Sequence, residues 1–152
     1  MAILEGHEAV LIAKVDPPGG FRLATWIGKR MELHCTGLGK ALISHMSEQE
    51  LDRLLKDRGL SRHNENTLGS VRKLREDLAR TVKRGYTIDD EEDEIGLRCL
   101  GVPVLDARGN AVAAISLAGD TAQITSETVE ILACQARQTA ASIASMLGPN
   151  PS

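Results

Sequence analysis

Aromatic residues are almost missing from this chain: Phe21, Trp26 and Tyr86 are the only three in 152 residues. Platforms that stack nucleobases need exposed rings, so so few of them argue against single-stranded nucleic-acid binding. Basic excess is missing too, since the net charge is −3 and no basic tail is present, and nothing implies a general affinity for phosphate. No apolar run approaches the 18 residues of a membrane span, and the opening MAILEGHEAV lacks a signal peptide's charged and apolar regions. Cysteines number three (Cys35, Cys99 and Cys134), an odd count without framework spacing. They are read as reduced thiols in a cytoplasm. What is present is ordinary globular material, 42% hydrophobic and 26% charged, long enough for one domain with its own core. No internal repeat is evident.

Strand and helix signals follow one another along the chain. Ala2 to Leu4 and Ala9 to Val15 read as strands parted by a turn at Glu5–Glu8, and the second runs into the loop signal Asp16-Pro17-Pro18-Gly19-Gly20. Phe21 to Ile27 reads as a third strand. A strand that starts at Met1 suggests a chain cut from something longer. After His34-Cys35-Thr36-Gly37-Leu38-Gly39-Lys40, a helical pattern begins at Ala41. Ser47 with Glu50 forms a capping box for a short helix stopped by Gly59. Residues 61–69 are polar loop. A second amphipathic pattern runs from Ser70 to Gly85, with a basic outer face read as solvated. Tyr86 to Ile88 forms a strand. A long alanine-rich helix spans Thr125 to Gly148, and Pro149 to Ser152 is tail. Three strands, three helices, three strands and one helix predict an α+β domain with an antiparallel sheet.

The segment from Gly85 to Gly119 carries the sharpest pattern. Two strands, Leu97–Leu105 and Ala111–Ala118, flank a loop in which Gly109 can take a positive φ. Leu100, Val102, Val104, Ile115 and Leu117 share one parity and are bulky. Cys99, Gly101, Ala114, Ser116 and Ala118 share the other and are small, which gives a sheet with one packed face and one bare face. A bare face leaves room either for a ligand pocket or for a helix lying close. The hairpin alone favours the helix.

Several candidate motifs fail on spacing. Gly37-Leu38-Gly39-Lys40 lacks the GxxxxGK[ST] spacing of a phosphate loop, although glycines at a helix start suit a small carboxylate. The acidic run Asp89–Glu94 lacks EF-hand spacing and reads as mostly solvated, except Asp89, which closes a strand and can face the bare side. His34, Cys35 and Cys99 have no recognised metal-ligand spacing. Cys99 has no base near it in sequence, and Ser116 lacks the G-x-S-x-G context. No enzyme signature emerges.

The residues Leu33–Leu42 and Gly85–Gly119 together closely resemble the C-terminal effector-binding domain of the IclR family of bacterial transcriptional regulators, over essentially the whole chain. That resemblance implies a GAF/PAS-like central antiparallel β-sheet flanked by helices, spanning residues 1–148. It implies a pocket for a small organic acid effector, assembly as a homodimer or homotetramer, and no cofactor. DNA contact would come only through an N-terminal winged helix-turn-helix absent from this chain. Carried over by position, Gly37 and Leu38 would offer N–H groups to the acid, with Asp89, Cys99 and Ser116 polar contacts opposite. Leu23, Met31 and Leu97 would form pocket wall. The stretch Ser116-Leu117-Ala118-Gly119 lacks the second hydroxyl of the Ser-x-Ser-Gly that many members carry, and Leu38 stands where Ala is common. Both departures point to a less polar acid, whose hydroxyl or amide would face Asp89. Two rival readings remain: a GAF-like thiol redox domain using Cys99 with Cys35 as resolving thiol, as in sulfoxide reductases, and a purely structural dimerisation module.

Overall fold

A computed structural model describes residues 1–19, 23–56 and 58–148. Strands β1 (Ala2–Glu5) and β2 (Glu8–Leu11) form the first hairpin, and β3 (Arg30–Met31) adds to it. Helices α1 (Gly37–Ile43), α2 (Glu48–Leu55) and α3 (Val71–Arg84) follow, then β4 (Thr87–Asp90), β5 (Leu97–Leu105), β6 (Ala111–Asp120) and α4 (Val129–Leu147). The strands make one antiparallel sheet in the order β3-β2-β1-β6-β5-β4, so the two halves of the chain meet where Ala2 pairs Ala114.

Local chemistry explains most element ends. Ser47 and Glu50 exchange side-chain to backbone hydrogen bonds in a full capping box at α2. The predicted stop at Gly59 is late, because α2 ends at Leu55. Ser70 caps α3 by accepting from the Lys73 N–H, and Gly85 closes it at φ 85° with its own N–H on the Thr81 carbonyl. Gly109 takes φ 83° in the β5–β6 turn. There the Asp106 carboxylate accepts the N–H groups of Arg108 and Asn110. Helix α4 begins at Val129, with residues 121–128 in turns before it, so the expected Thr125 start is one turn early.

The expected strand at Phe21–Ile27 is not found. Phe21 and Arg22 lie outside the described residues, and Leu23–Ile27 is irregular. The pairing partner of β2 is instead Arg30–Met31, with Met31 opposite Ala9. Likewise β2 stops at Leu11 rather than Val15. Residues 149–152, expected as tail, also lie outside the described residues.

Two cores result, one on each side of the sheet. Leu100, Val102 and Val104 pack with Ala133, Ala136 and Ala140 of α4, whose small side chains let the helix lie close. The other core gathers Ala2, Leu11 and Ala114 from the sheet with Leu38, Leu42, Leu74 and Leu78 from α1 and α3. Leu117 shares parity with Leu100 but stays 39% exposed.

Candidate functional site

The register sets the site. Residues opposite one another in an antiparallel pair share a face. Asp89 pairs Cys99, and Cys99 pairs Ala118. Two residues further along, Thr87 pairs Gly101 and Gly101 pairs Ser116. Asp89, Cys99, Ala118, Thr87, Gly101 and Ser116 therefore form two adjacent rows on the small-residue side, and Leu97 sits one row beyond Cys99.

Helix α1 starts on top of these rows. A Cβ added at Gly101 would come 2.1 Å from the Gly37 carbonyl oxygen, and one added at Gly37 would come 3.1 Å from the Cys99 Cβ. The Thr87 hydroxyl donates to that same Gly37 carbonyl at 2.8 Å. Close helix approach thus accounts for Gly101, as the hairpin alone suggests. It does not cover the whole face, since Cys99 and Ser116 remain half-buried and Ala118 is exposed. The Ser116 hydroxyl has one long contact, to the Leu117 carbonyl at 3.4 Å.

Thr36 caps α1. Its hydroxyl accepts the Gly39 N–H at 3.0 Å, and its carbonyl accepts the Lys40 N–H at 2.9 Å. The N–H groups of Gly37 and Leu38 have no acceptor among the described residues, which is how a helix start leaves donors for an anion. Gly37, Leu38, Asp89, Cys99, Ser116 and Leu97 thus lie around one end of α1. Met31 does not join them directly. It is on the same side of the sheet but on the edge strand β3, packed against the core that holds Leu38. Leu23 is half-buried in the irregular segment before β3. The hollows among the described residues include two that lie elsewhere. One of about 40 Å³ borders His7, His34 and Leu54, and a shallow one of about 440 Å³ borders Leu105 and Ala144.

Electrostatics differ sharply from residue to residue. Asp89 is 2% exposed and accepts the Glu92 N–H at 2.8 Å. Burial pushes its carboxyl up to about 7, aided by the negative charges of Glu92 and Asp93 and opposed by Lys40 and that hydrogen bond. At neutral pH this group is divided between acid and carboxylate. Burial, with Asp89 nearby, likewise drives the Cys99 thiol far above its ordinary range, and burial with acidic neighbours does the same to Cys35. Neither thiol is a ready nucleophile.

Asp89 is not, as the sequence reading has it, the sole buried member of the acidic run. Glu92 is buried and accepts a hydrogen bond from Lys40 Nζ at 2.7 Å. Lys40 is fully buried. It also donates to Asp77 Oδ2 at 2.8 Å and to the Ile88 carbonyl. Burial raises both carboxyls, and at Asp77 the nearby Lys40, Arg80 and Arg84 outweigh it and hold the group below its usual range. Glu92 stays above its usual range, because burial, with the negative charge of Asp77, outweighs Lys40, and its second oxygen is buried without a partner among the described residues. This triad ties α1 to α3 and to the β4–β5 loop. Its sequence signal was a lysine inside the apolar run Leu38–Ile43, where a solvated side chain has no room.

This six-stranded antiparallel sheet with four helices is the fold of the C-terminal domain of a class of bacterial transcription regulators. The chain belongs to the IclR family: the family model "Bacterial transcriptional regulator IclR C-terminal" matches residues 1–145. The transcriptional repressor IclR of Escherichia coli (strain K12) is 40% identical over 131 residues, 85% of this chain and 48% of that protein. Superposition on the crystal structure of the Thermotoga maritima IclR gives a TM-score of 0.91 at 33% identity, covering 97% of this chain and 60% of that one. The inducer-binding domain of PobR from Acinetobacter, solved as a double mutant in complex with 3-hydroxybenzoic acid, matches at TM-score 0.83 and 26% identity, over 94% of this chain and 85% of that one. The chain spans about half the length of the curated relatives it matches. Among the described residues no helix is long and apolar enough to cross a membrane.

Proposed function

We propose that this chain is the sensing domain of an IclR-type transcriptional repressor and binds a small organic acid between the start of α1 and the β4–β6 face. One juxtaposition carries the reading: the uncommitted N–H groups of Gly37 and Leu38 stand over a face that holds Asp89, Cys99 and Ser116. The acid's carboxylate takes the two N–H groups, where helix and cap leave partial positive charge. Leu38 and Leu97 supply apolar wall, and Leu23 and Met31 line it further out. The complex of the PobR domain with a hydroxylated aromatic acid supports this ligand class. Assembly as a homodimer or homotetramer uses apolar groups left exposed on α4, namely Ile131, Met146 and Leu147. DNA contact belongs to a part of the regulator outside these 152 residues, and the ligand acts on it by binding two arrangements of the oligomer unequally. The thiol-redox reading is disfavoured, since both Cys35 and Cys99 are held as neutral thiols.

Asp89 gives the reading a testable sign. As an acid it donates a hydrogen bond to the ligand; as a carboxylate it repels one. Its ionisation at about 7 makes affinity for a carboxylate fall above neutrality, by up to about tenfold per pH unit. Calorimetric titration with a panel of aliphatic and aromatic acids at pH 6 and pH 8.5 checks this. Expected are a binder that weakens at the higher pH and an Asp89→Asn variant whose affinity is flat. A pH-independent affinity in the unsubstituted chain contradicts this role for Asp89.

A further inference from the structure

Three segments far apart in sequence deliver a thiol, an imidazole and carboxylates to one spot beside the proposed acid site. Cys35 precedes the α1 cap and is fully buried. His63 comes from the α2–α3 connection, and Asp93 from the β4–β5 loop. The donor atoms of these three all lie within 4.8 Å of one another. Glu32 joins them: its Oε2 accepts from the Cys35 thiol at 3.7 Å and is in hydrogen-bond contact with His63 Nε2. That same His63 nitrogen is 3.9 Å from Asp93 Oδ1.

We propose that Cys35, His63, Asp93 and Glu32 form a binding site for a divalent transition cation of the zinc class. Donors around a tetrahedral zinc, with bonds of about 2.0–2.3 Å, stand roughly 3.5 Å apart. The observed 3.7 and 3.9 Å separations are close to that spacing, and the His63–Glu32 contact has to open to admit the ion. A thiolate with an imidazole selects zinc or cobalt over calcium and magnesium, which prefer all-oxygen sites. Charge agrees as well. Asp89 adds its negative charge to those of Asp93 and Glu32 beside the Cys35 thiol.

The segments are held in place by bonds that do not use the ligand atoms. Thr67 Oγ1 accepts the N–H groups of His63 and Asn64 and donates to the Glu92 carbonyl at 2.7 Å. Asn64 Nδ2 donates to the Glu91 carbonyl at 2.9 Å. Next to Cys35, the His34 ring is pinned by the Ser61 carbonyl at 2.9 Å. The loops that carry His63 and Asp93 are therefore stitched together before any ion arrives. On binding, the Cys35 thiol loses its proton to solvent and the ion replaces the His63–Glu32 contact. No electron transfer is involved.

Cobalt and zinc test this without any organic ligand. The chelator-treated chain is titrated with Co²⁺ while the near-ultraviolet thiolate-to-cobalt absorption is followed, and with Zn²⁺ while the melting temperature is followed. One equivalent of cobalt is expected to produce the absorption, and zinc to raise the melting temperature. Cys99→Ser and Cys134→Ser are expected to keep the absorption and Cys35→Ser to lose it. His63→Ala, a half-exposed position that leaves the fold intact, is expected to bind zinc at least about tenfold more weakly. Absorption that survives Cys35→Ser, unchanged zinc affinity in His63→Ala, or no absorption and no zinc shift in the unsubstituted chain overturns the proposal. Because no acid is present, its failure leaves the acid-sensing reading untouched, and the reverse also holds.

Discussion

Asp89 and Lys40 are both buried and both ionisable, yet they act in opposite directions. Asp89 carries a proton more readily folded than unfolded, its carboxyl rising from 3.8 to about 7. The folded state then binds the extra proton between those limits, so this residue's contribution to stability is greatest below pH 4. It declines as pH rises through about 7 and is lost above that. Asn cannot ionise and still accepts the Glu92 N–H. Asp89→Asn is therefore expected to match the parent in unfolding free energy near pH 4 and to exceed it at pH 8, by on the order of a few kcal/mol. A difference that is constant across pH argues against a buried, proton-accepting Asp89. Lys40 instead neutralises Asp77 and Glu92 where water cannot. Lys40→Met leaves two buried carboxylates without their shared cation, and denaturant unfolding is expected to show a loss of about 3–5 kcal/mol. A loss below about 1 kcal/mol would mean that the triad is solvated.

Helix α1 and strand β5 show how one element's sequence depends on another's path. Gly101 is glycine because the Gly37 carbonyl occupies the place of its side chain. Backbone cannot swing aside as a side-chain tip can, so Gly101→Ala is expected to lift the start of α1 from the sheet. Melting curves should show a loss of about 1–3 kcal/mol. An unchanged melting temperature would place the helix farther away than the structure does. The β5–β6 hairpin, its turn, the capping box of α2 and the Gly85 stop of α3 were all legible in the sequence, because each is written in adjacent residues. What was not legible depends on distant partners. Strand β3 is two residues long and exists because Ala9 and Val10 stand opposite, so no local run announces it. Burial of Glu92 required knowing that Lys40 lies across from it, 52 positions away in sequence. The meeting of Cys35 with His63 and Asp93 was equally invisible, since their spacing follows no known ligand motif and is fixed by loops clasped through Thr67 and Asn64.

Across the whole molecule the two faces of the sheet do different work. Alanines of α4 close one face against Leu100, Val102 and Val104, while Ile131, Met146 and Leu147 of the same helix stay exposed. The other face is shared between α1, which covers Gly101, and the open ground at Cys99, Ser116 and Ala118. The Lys40 triad links that ground to α3, so a ligand that moves the start of α1 also pulls on Asp77 and Glu92. Backbone amide shifts in a ¹⁵N-labelled chain test the central claim most directly, recorded as the best-binding acid of the panel is added at pH 6. The account predicts the largest shifts at Gly37 and Leu38, with further shifts at Cys99 and Ser116. An acid that binds while those four amides stay unmoved, with the changes elsewhere, would contradict it.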